Sequence, residues 1–335
     1  MEMLGALAAF SKVKIKKEST GTPEITVIIP TYNRAAIVKE CLDKLAQTTY
    51  DKEKLEVILV DDHSTDETFE TLLEYEAHFA NILILQRKEN SGGASAPRND
   101  AMRLASGKWL TFIDCDDYIT EDTLTDVMAV IESDATVDMI CMPYFRSENS
   151  NRAITKSAFI YEEPVTGLTF TETKLFNTLK VVGKAFRKEL IEAYQIDFPE
   201  DIRVREDNWF MMKAYSVSKN IAILGNQKDY YFSRDNDEVA LSLSGTPPRD
   251  AVKIFNSVYD FIEVLEIAKQ DKQDLVAIFL NRYTNMIKRG KFAPVRFFEH
   301  TKETLAVLLL TENKYLTDNS SEFISDLFNG KYDIK

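Results

Sequence analysis

Four short stretches carry residue types and spacings that could do chemistry. The first is Phe112-Ile113-Asp114-Cys115-Asp116-Asp117, an apolar run that ends in Asp-x-Asp. In extended chain alternate side chains point the same way, so Asp114 and Asp116 would face one side together. Hard divalent cations take a few carboxylates plus phosphate oxygens, which fits such a pair. A lone Asp-x-Asp is also an ordinary solvated turn. The second is Asp61-Asp62, followed by His63-Ser64-Thr65-Asp66. A carboxylate there could accept from a uracil imide or a ribose hydroxyl, or Ser64 or Thr65 could cap the next helix. His63 reads as a loop residue without catalytic duty. The third is Ser91-Gly92-Gly93-Ala94-Ser95-Ala96-Pro97-Arg98-Asn99. Its glycines permit close backbone approach, and Arg98 near a helix start could meet phosphate or simply be solvated. The fourth is Arg205-Glu206-Asp207-Asn208 before Trp209-Phe210. One carboxylate could be a general base and the other could orient a hydroxyl. An acidic pair at a helix start is the plain alternative, and spacing does not choose between them.

The elements that must position these residues alternate. Ile25–Pro30, Leu55–Val60, Ile82–Leu85 and Trp109–Ile113 are short apolar, β-rich runs. Helical spacing fills Ala35–Thr48, the stretch to about Phe79, and Ala96–Ala105. That order predicts an α/β fold with a parallel sheet and helices on both faces. Ligands of such sheets bind beyond the carboxyl ends of the strands. The clusters after the first, second and fourth strands fall on that edge.

Past residue 120 the alternation weakens into a mixed extension, with strands over Val137–Phe145, Leu179–Phe186, Ile221–Leu224 and Tyr230–Phe232 and a helix over Arg187–Tyr194. From Pro248 the pattern is helical. The expected division is an extension over 1–23, a catalytic domain over 24–245 and a helical module over 246–335. The extension reads as frayed or surface-docked, because its lysines follow its short apolar stretch, the wrong order for a signal peptide.

The net charge of −13 argues against a sequence-blind nucleic-acid binder. Three cysteines without metal-type spacing fit a reducing compartment. No apolar run approaches the roughly 20 residues of a membrane span. A nicotinamide dehydrogenase would need G-x-G-x-x-G after the first strand, where Pro30-Thr31-Tyr32-Asn33 stands instead. A nucleotidyltransferase also uses paired aspartates. A non-catalytic binding module would be expected to lack Asp116 or Asp207, and both are present.

Together the motifs resemble the family-2 inverting glycosyltransferases with the GT-A fold. The resemblance covers about residues 24–235 and rests on Val27–Asn33, Val60–Asp66, Asn90–Gly93 with Pro97-Arg98-Asn99, Asp114–Asp117 and Glu206-Asp207. Within that family the chain looks most like bacterial enzymes that glycosylate the poly(ribitol phosphate) of wall teichoic acid. The resemblance implies a UDP-sugar donor carrying glucose, N-acetylglucosamine or galactose, a polyanionic polymer acceptor and Mn²⁺ or Mg²⁺. A capsule or exopolysaccharide enzyme with a neutral glycan acceptor is the alternative. It implies that Pro30 and Tyr32 border the uracil and that Asp62 bonds base or ribose. Asn90 and Arg98 would hold the nucleotide, Asp114 would lie near ribose and sugar, and Asp116 would bind the metal. Asp207 would be the base and Glu206 its assistant in placing sugar or acceptor. In some of these enzymes the C-terminal helices make a trimer, so the helical module is expected to be a trimer interface, an acceptor platform or a brace on the catalytic domain; a cytoplasmic location, extending to the inner face of the membrane, is implied as well. Many relatives carry a histidine after the strand that Tyr230–Phe232 resembles; Val239–Ser244 has none, which leaves a third protein ligand in doubt. Lys180, Lys184, Arg187, Arg203, Arg205 and Arg234 are the cations expected to meet an anionic acceptor.

Overall fold

A computed structural model describes residues 7–19, 21–146, 159–233, 247–290, 293–311 and 313–332. The stretch Val239–Ser244, Arg234 and the boundary near 245 lie outside these.

The chain begins with β1 (Phe10–Lys17) and β2 (Ile25–Thr31), then α1 (Val38–Ala46), β3 (Leu55–Asp61), α2 (Thr68–Leu73), β4 (Asn81–Arg87), α3 (Ser95–Leu104) and β5 (Trp109–Phe112). All residues of β2, β3 and β5 are buried, as befits strands covered on both faces. In α1 the buried residues are Val38, Cys41, Leu42 and Leu45, one apolar stripe at helical spacing. Each large apolar side chain buried this way contributes roughly 1.5–3 kcal/mol. The start of α2 differs from expectation: its N-cap position, Glu67, makes no side-chain cap bond. Asp66, not Ser64 or Thr65, accepts from the backbone N–H of Thr68 at 3.0 Å. Ser64 instead turns back to bond Asp61.

After β5 come β6 (Tyr118–Ile119), α4 (Thr123–Ser133), β7 (Met139–Cys141), β8 (Tyr144–Arg146), β9 (Val165–Leu168) and β10 (Lys184–Arg187). These are followed by α5 (Lys188–Ala193), α6 (Glu206–Val217), β11 (Ile221–Ile223) and β12 (Tyr231–Ser233). The main sheet runs β1-β4-β3-β2-β5-β10-β7-β11-β9, and β6-β12-β8 form a small second sheet. Strands β4, β3, β2 and β5 are mutually parallel. From β2 the chain winds outward through β3 and β4, then returns to β5 on the other side of β2. That reversal opens a crevice at the carboxyl ends of β2 and β5.

Residues 10–17 are part of the sheet, in contrast to the frayed or docked extension expected there. β1 pairs antiparallel with β4 from Phe10 to Lys17. Val13 and Ile15 alternate with Lys12, Lys14 and Lys16, a strand pattern masked by its charge. Lys12 and Lys14 reach Glu70 and Glu76.

The C-terminal residues form α7 (Pro248–Glu263), α8 (Lys269–Lys288), α9 (Ala293–Leu310) and α10 (Asp318–Phe328). α7 packs on α6, and α8 and α9 pack on α7. Buried Tyr283 of α8 also reaches α6, accepting from Asn208 Nδ2 at 2.9 Å. No described helix is long and apolar enough to cross a membrane.

Candidate active site

A cleft of about 700 Å³ opens at the reversal point, and Pro30, Tyr32, Asp62, Asn90, Arg98 and Asp114 border it. Asp116, Glu206 and Asp207 line it too. The structure therefore brings every expected site residue to one cleft, although several hold different partners from those expected.

At the β2 end, Tyr32 leaves 43% of its surface exposed, an aromatic face open to a flat ring. Asn33, at φ +50°, ties this loop to the next by accepting from Thr65 N at 2.8 Å. Asp62 is buried. Its carboxylate accepts from Arg87 Nη1 at 3.0 Å, Asn90 Nδ2 at 3.1 Å and Ser91 Oγ at 2.9 Å. The backbone N–H of Ser91 adds a further bond at 3.0 Å. A carboxylate offers about four acceptor directions, so Asp62 and Asn90 first of all shape the glycine loop. Gly92, at φ +80°, lies against Arg203: a Cβ there would stand 2.9 Å from Arg203 Nη2. His63 is outside the cleft wall, with Nδ1 against the carbonyl of Arg87 at 3.1 Å.

Arg98 makes contacts that its sequence position did not announce. It is 3% exposed and binds three carboxylates. Nη2 donates to Asp114 Oδ1 at 2.7 Å, and Nη1 donates to Glu206 Oε1 at 3.2 Å and Asp207 Oδ1 at 3.0 Å. Burial works against its charge, yet Asp207, Asp114 and Glu206 outweigh that and hold it protonated beyond the ordinary arginine value. Asn99 next to it bonds Phe198 through both backbone groups, at 2.9 Å each. The segment leading to Arg203 and Arg205 is thereby pinned to α3.

The Asp114–Asp117 turn is shaped from the second sheet. Buried Tyr231 accepts from the Asp114 N–H at 3.2 Å and donates to Asp117 Oδ2 at 2.7 Å. Asp117 is therefore structural, while Asp114 and Asp116 face the cleft. Asp114 is 37% exposed in its side chain.

Glu206 and Asp207 open α6, where the helix dipole favours negative charge. Arg205 before them sits at φ +67°, ψ 28°, a left-handed conformation costing a non-glycine residue roughly 1–2 kcal/mol. Asp207 Oδ2 accepts from the Val181 N–H at 3.1 Å. Burial raises the pKa of Asp207, against the pull of Arg98. Burial, then the charge of Asp207, raises Glu206. Carboxyls shifted this way are proton-transfer candidates.

Of the cations expected near the acceptor, Lys180, Arg203 and Arg205 line the cleft. Lys184 and Arg187 do not. Lys184 is wholly buried, and Arg187 turns to Asp138 at 3.7 Å and the carbonyl of Ala135 at 2.7 Å. Arg282 of α8 joins the lining and was missed because it lies 75 residues beyond Asp207 in an unremarkable helical repeat. The Val181 N–H was missed because a backbone donor leaves no mark in side-chain types.

A hard divalent cation would be compatible with the donor chemistry here. Asp116 would offer an oxygen at a cleft edge where Asp114, Glu206 and Asp207 share the guanidinium of Arg98. Among the described residues no group of three or more His, Cys, Asp or Glu side chains is arranged to hold a metal. A cation would take its remaining ligands from water and diphosphate, as Mg²⁺ commonly does.

A family model described as glycosyl transferase family 2 matches residues 26–195. The chain is 33% identical over 263 residues to the poly(ribitol-phosphate) beta-glucosyltransferase of Bacillus spizizenii, covering 78% of this chain and 40% of that one. It is 31% identical over 271 residues to the poly(ribitol-phosphate) beta-N-acetylglucosaminyltransferase TarS of Staphylococcus aureus, covering 81% and 46%. The chain thus spans less than half the length of these two relatives. It is 26% identical to TarP of S. aureus, over 92% of this chain and 94% of TarP. The crystal structure of S. aureus TarS 1–349 in complex with UDP-GlcNAc superposes with a TM-score of 0.76 at 27% identity, over 92% of each chain. The architecture is the GT-A fold, with a mixed nine-stranded sheet, flanking helices and a C-terminal helical region.

Proposed function

The chain belongs to glycosyl transferase family 2, and we propose that it moves a sugar from a UDP-sugar to a hydroxyl of poly(ribitol phosphate), with inversion at the anomeric carbon. The observation that carries this reading is the Arg98 bridge, which holds the proposed base Asp207 beside the Asp114–Asp116 turn. The poly(ribitol phosphate) transferases among its relatives support the acceptor, and the UDP-GlcNAc complex of TarS supports the donor class.

In this reading Tyr32 and Pro30 flank the uracil, and Asp62 and Asn90 build the loop that receives the ribose edge. Arg98 orients the three carboxylates and is not itself a direct phosphate ligand. Asp116, with Asp114 beside it, would hold Mn²⁺ or Mg²⁺, which when bound neutralises diphosphate charge. Asp207 accepts the proton of the acceptor hydroxyl as its oxygen bonds the anomeric carbon. The bond from that carbon to the UDP oxygen breaks, and UDP leaves with the electron pair. A single displacement from the opposite face inverts the centre. Glu206 orients the sugar or acceptor.

Lys180, Arg203, Arg205 and Arg282 on the cleft wall favour a polyanionic acceptor over a neutral glycan. The C-terminal helices are proposed to carry a homotrimer, which native mass measurement would test. Function is tested by product analysis over UDP-glucose, UDP-N-acetylglucosamine and UDP-galactose with isolated poly(ribitol phosphate) and neutral capsule glycan. Glycosylated poly(ribitol phosphate) is expected, with turnover abolished in Asp207→Ala. Transfer only to the neutral glycan, or near-normal turnover in that variant, would sink the reading.

A further inference from the structure

Behind the proposed base lies a buried cation with no place in the chemistry above. Lys184 on β10 is wholly buried. Its Nζ donates to Thr178 Oγ1 at 2.8 Å and to the carbonyl of Val182 at 3.4 Å. Those two contacts clasp both ends of the strap 178–182, whose Thr178, Leu179 and Lys180 line the cleft. Between them stands Val181, whose N–H holds Asp207 Oδ2 at 3.1 Å. The carbonyl of Thr178 is fixed from α6 by the Tyr215 hydroxyl at 3.1 Å. Strand, strap and catalytic helix are thereby closed into one ring.

We propose that Lys184 is a positioning residue for Asp207: it clamps the strap so that the Val181 N–H meets the carboxylate, and it lends the base a positive charge from the buried side. This rests on the reading of Asp207 as the base. Burial acts first against the ammonium's charge; of the ionisable groups, Cys141 and then Asp207 favour that charge, and Lys180 opposes it. Tyr215 packs against Cys141 on the same side. Burial raises the pKa of both Cys141 and Tyr215 and keeps them neutral, which leaves Asp207 as the anion Lys184 serves. A lysine kept only to fill the core would be hard to explain, since an apolar side chain of equal length avoids the desolvation of an ammonium.

The test compares wild type, Lys184→Met, Thr178→Val and Asp207→Asn, using UDP-GlcNAc or UDP-glucose (whichever wild type turns over) with poly(ribitol phosphate), and titrates UDP by calorimetry. Lys184→Met is expected to lower kcat about tenfold or more, as loss of a catalytic group's orientation does. UDP affinity should stay within about twofold. The acid limb of the kcat profile should move up by about half a unit or more, because a cation near the base is gone. An acid limb that stays in place, or UDP affinity lost in step with kcat, overturns the inference. Should Lys184→Met fail to fold, Thr178→Val decides: reduced kcat with normal UDP affinity supports the clamp, and wild-type kcat refutes it. Turnover by Asp207→Asn would instead remove the premise, whereas an inactive Asp207→Asn beside a wild-type-like Lys184→Met rejects the clamp alone.

Discussion

Arg98 and Asp207 lie 109 positions apart in sequence and meet at 3.0 Å beneath the cleft floor. The same guanidinium binds Asp114 and Glu206, so one buried cation sets the spacing of three carboxylates from two separate stretches of chain. Arg98→Met should leave these carboxylates without their counter-charge. Removing one partner of a buried ion cluster typically costs about 3–5 kcal/mol, so chemical denaturation should show a loss of that order. Turnover should fall at least a hundredfold. A variant with wild-type stability would show that the bridge does not organise the three carboxylates.

Activity should depend on pH in a direction fixed by burial. The proposed base, Asp207, would work only when ionised, and burial raises its pKa and that of Glu206 beside it. Activity is therefore full above the raised pKa and lost as pH falls through it. The acid limb of kcat/KM should lie above the ordinary carboxylate value of roughly 4. A profile flat down to that value would exclude a desolvated carboxyl as the base.

Lys184 gives a separate prediction, for stability. Burial depresses its pKa from 10.5 to about 8. Between those values the unfolded chain binds more protons than the folded one, so stability rises with pH across that window. The cost of the buried ammonium is fully present below pH 8 and gone above 10.5. Lys184→Met should thus be stabilised relative to wild type most at neutral pH. The difference should shrink by up to about 3 kcal/mol toward pH 10.5. Urea titrations of both proteins at the two ends of the window check this, and a constant difference would contradict it.

Chelation and Asp116→Asn should act alike. If Asp116 is the protein's main ligand for Mn²⁺ or Mg²⁺, a chelator should stop turnover in wild type. The variant should need at least tenfold more metal for half-maximal rate. Full activity in chelator would remove the metal from the reaction.

Arg203→Ala should raise the KM for poly(ribitol phosphate) several-fold and flatten its salt dependence, because exposed charge attraction is screened by salt. The KM for the UDP-sugar should change less. Equal losses for donor and acceptor would place Arg203 with the nucleotide, through its contact with Gly92.

How far the sequence could be read follows from the range of the interactions. Apolar runs such as Ile25–Pro30 are local signals, and the strands they predict are present. Asp114 and Asp116 were legible as a pair because an extended chain fixes their relative direction within three residues. Arg98 was legible as important, but its bonds to Glu206 and Asp207 were not, since those partners are more than a hundred residues away and nothing local marks them. Strand β1 was missed because its lysines outweighed the alternation of Val13 and Ile15. Lysines along a sheet edge are a common device against pairing with other chains. Lys184 was expected among the cations facing an acceptor, yet it is wholly buried. Only tertiary packing put it in the core.

The hydroxyl of Tyr231 bears on how short a working enzyme could be. The family match ends at residue 195 and contains every residue of the Asp114–Asp117 turn. It contains neither Tyr231, which bonds both ends of that turn, nor Tyr283, which steadies α6 through Asn208. A fragment cut at the edge of the recognisable motif would keep the aspartates and lose the mould that shapes them. The bonds that shape the proposed site reach into α8, so the helices that look like an appendage belong to the body that carries it.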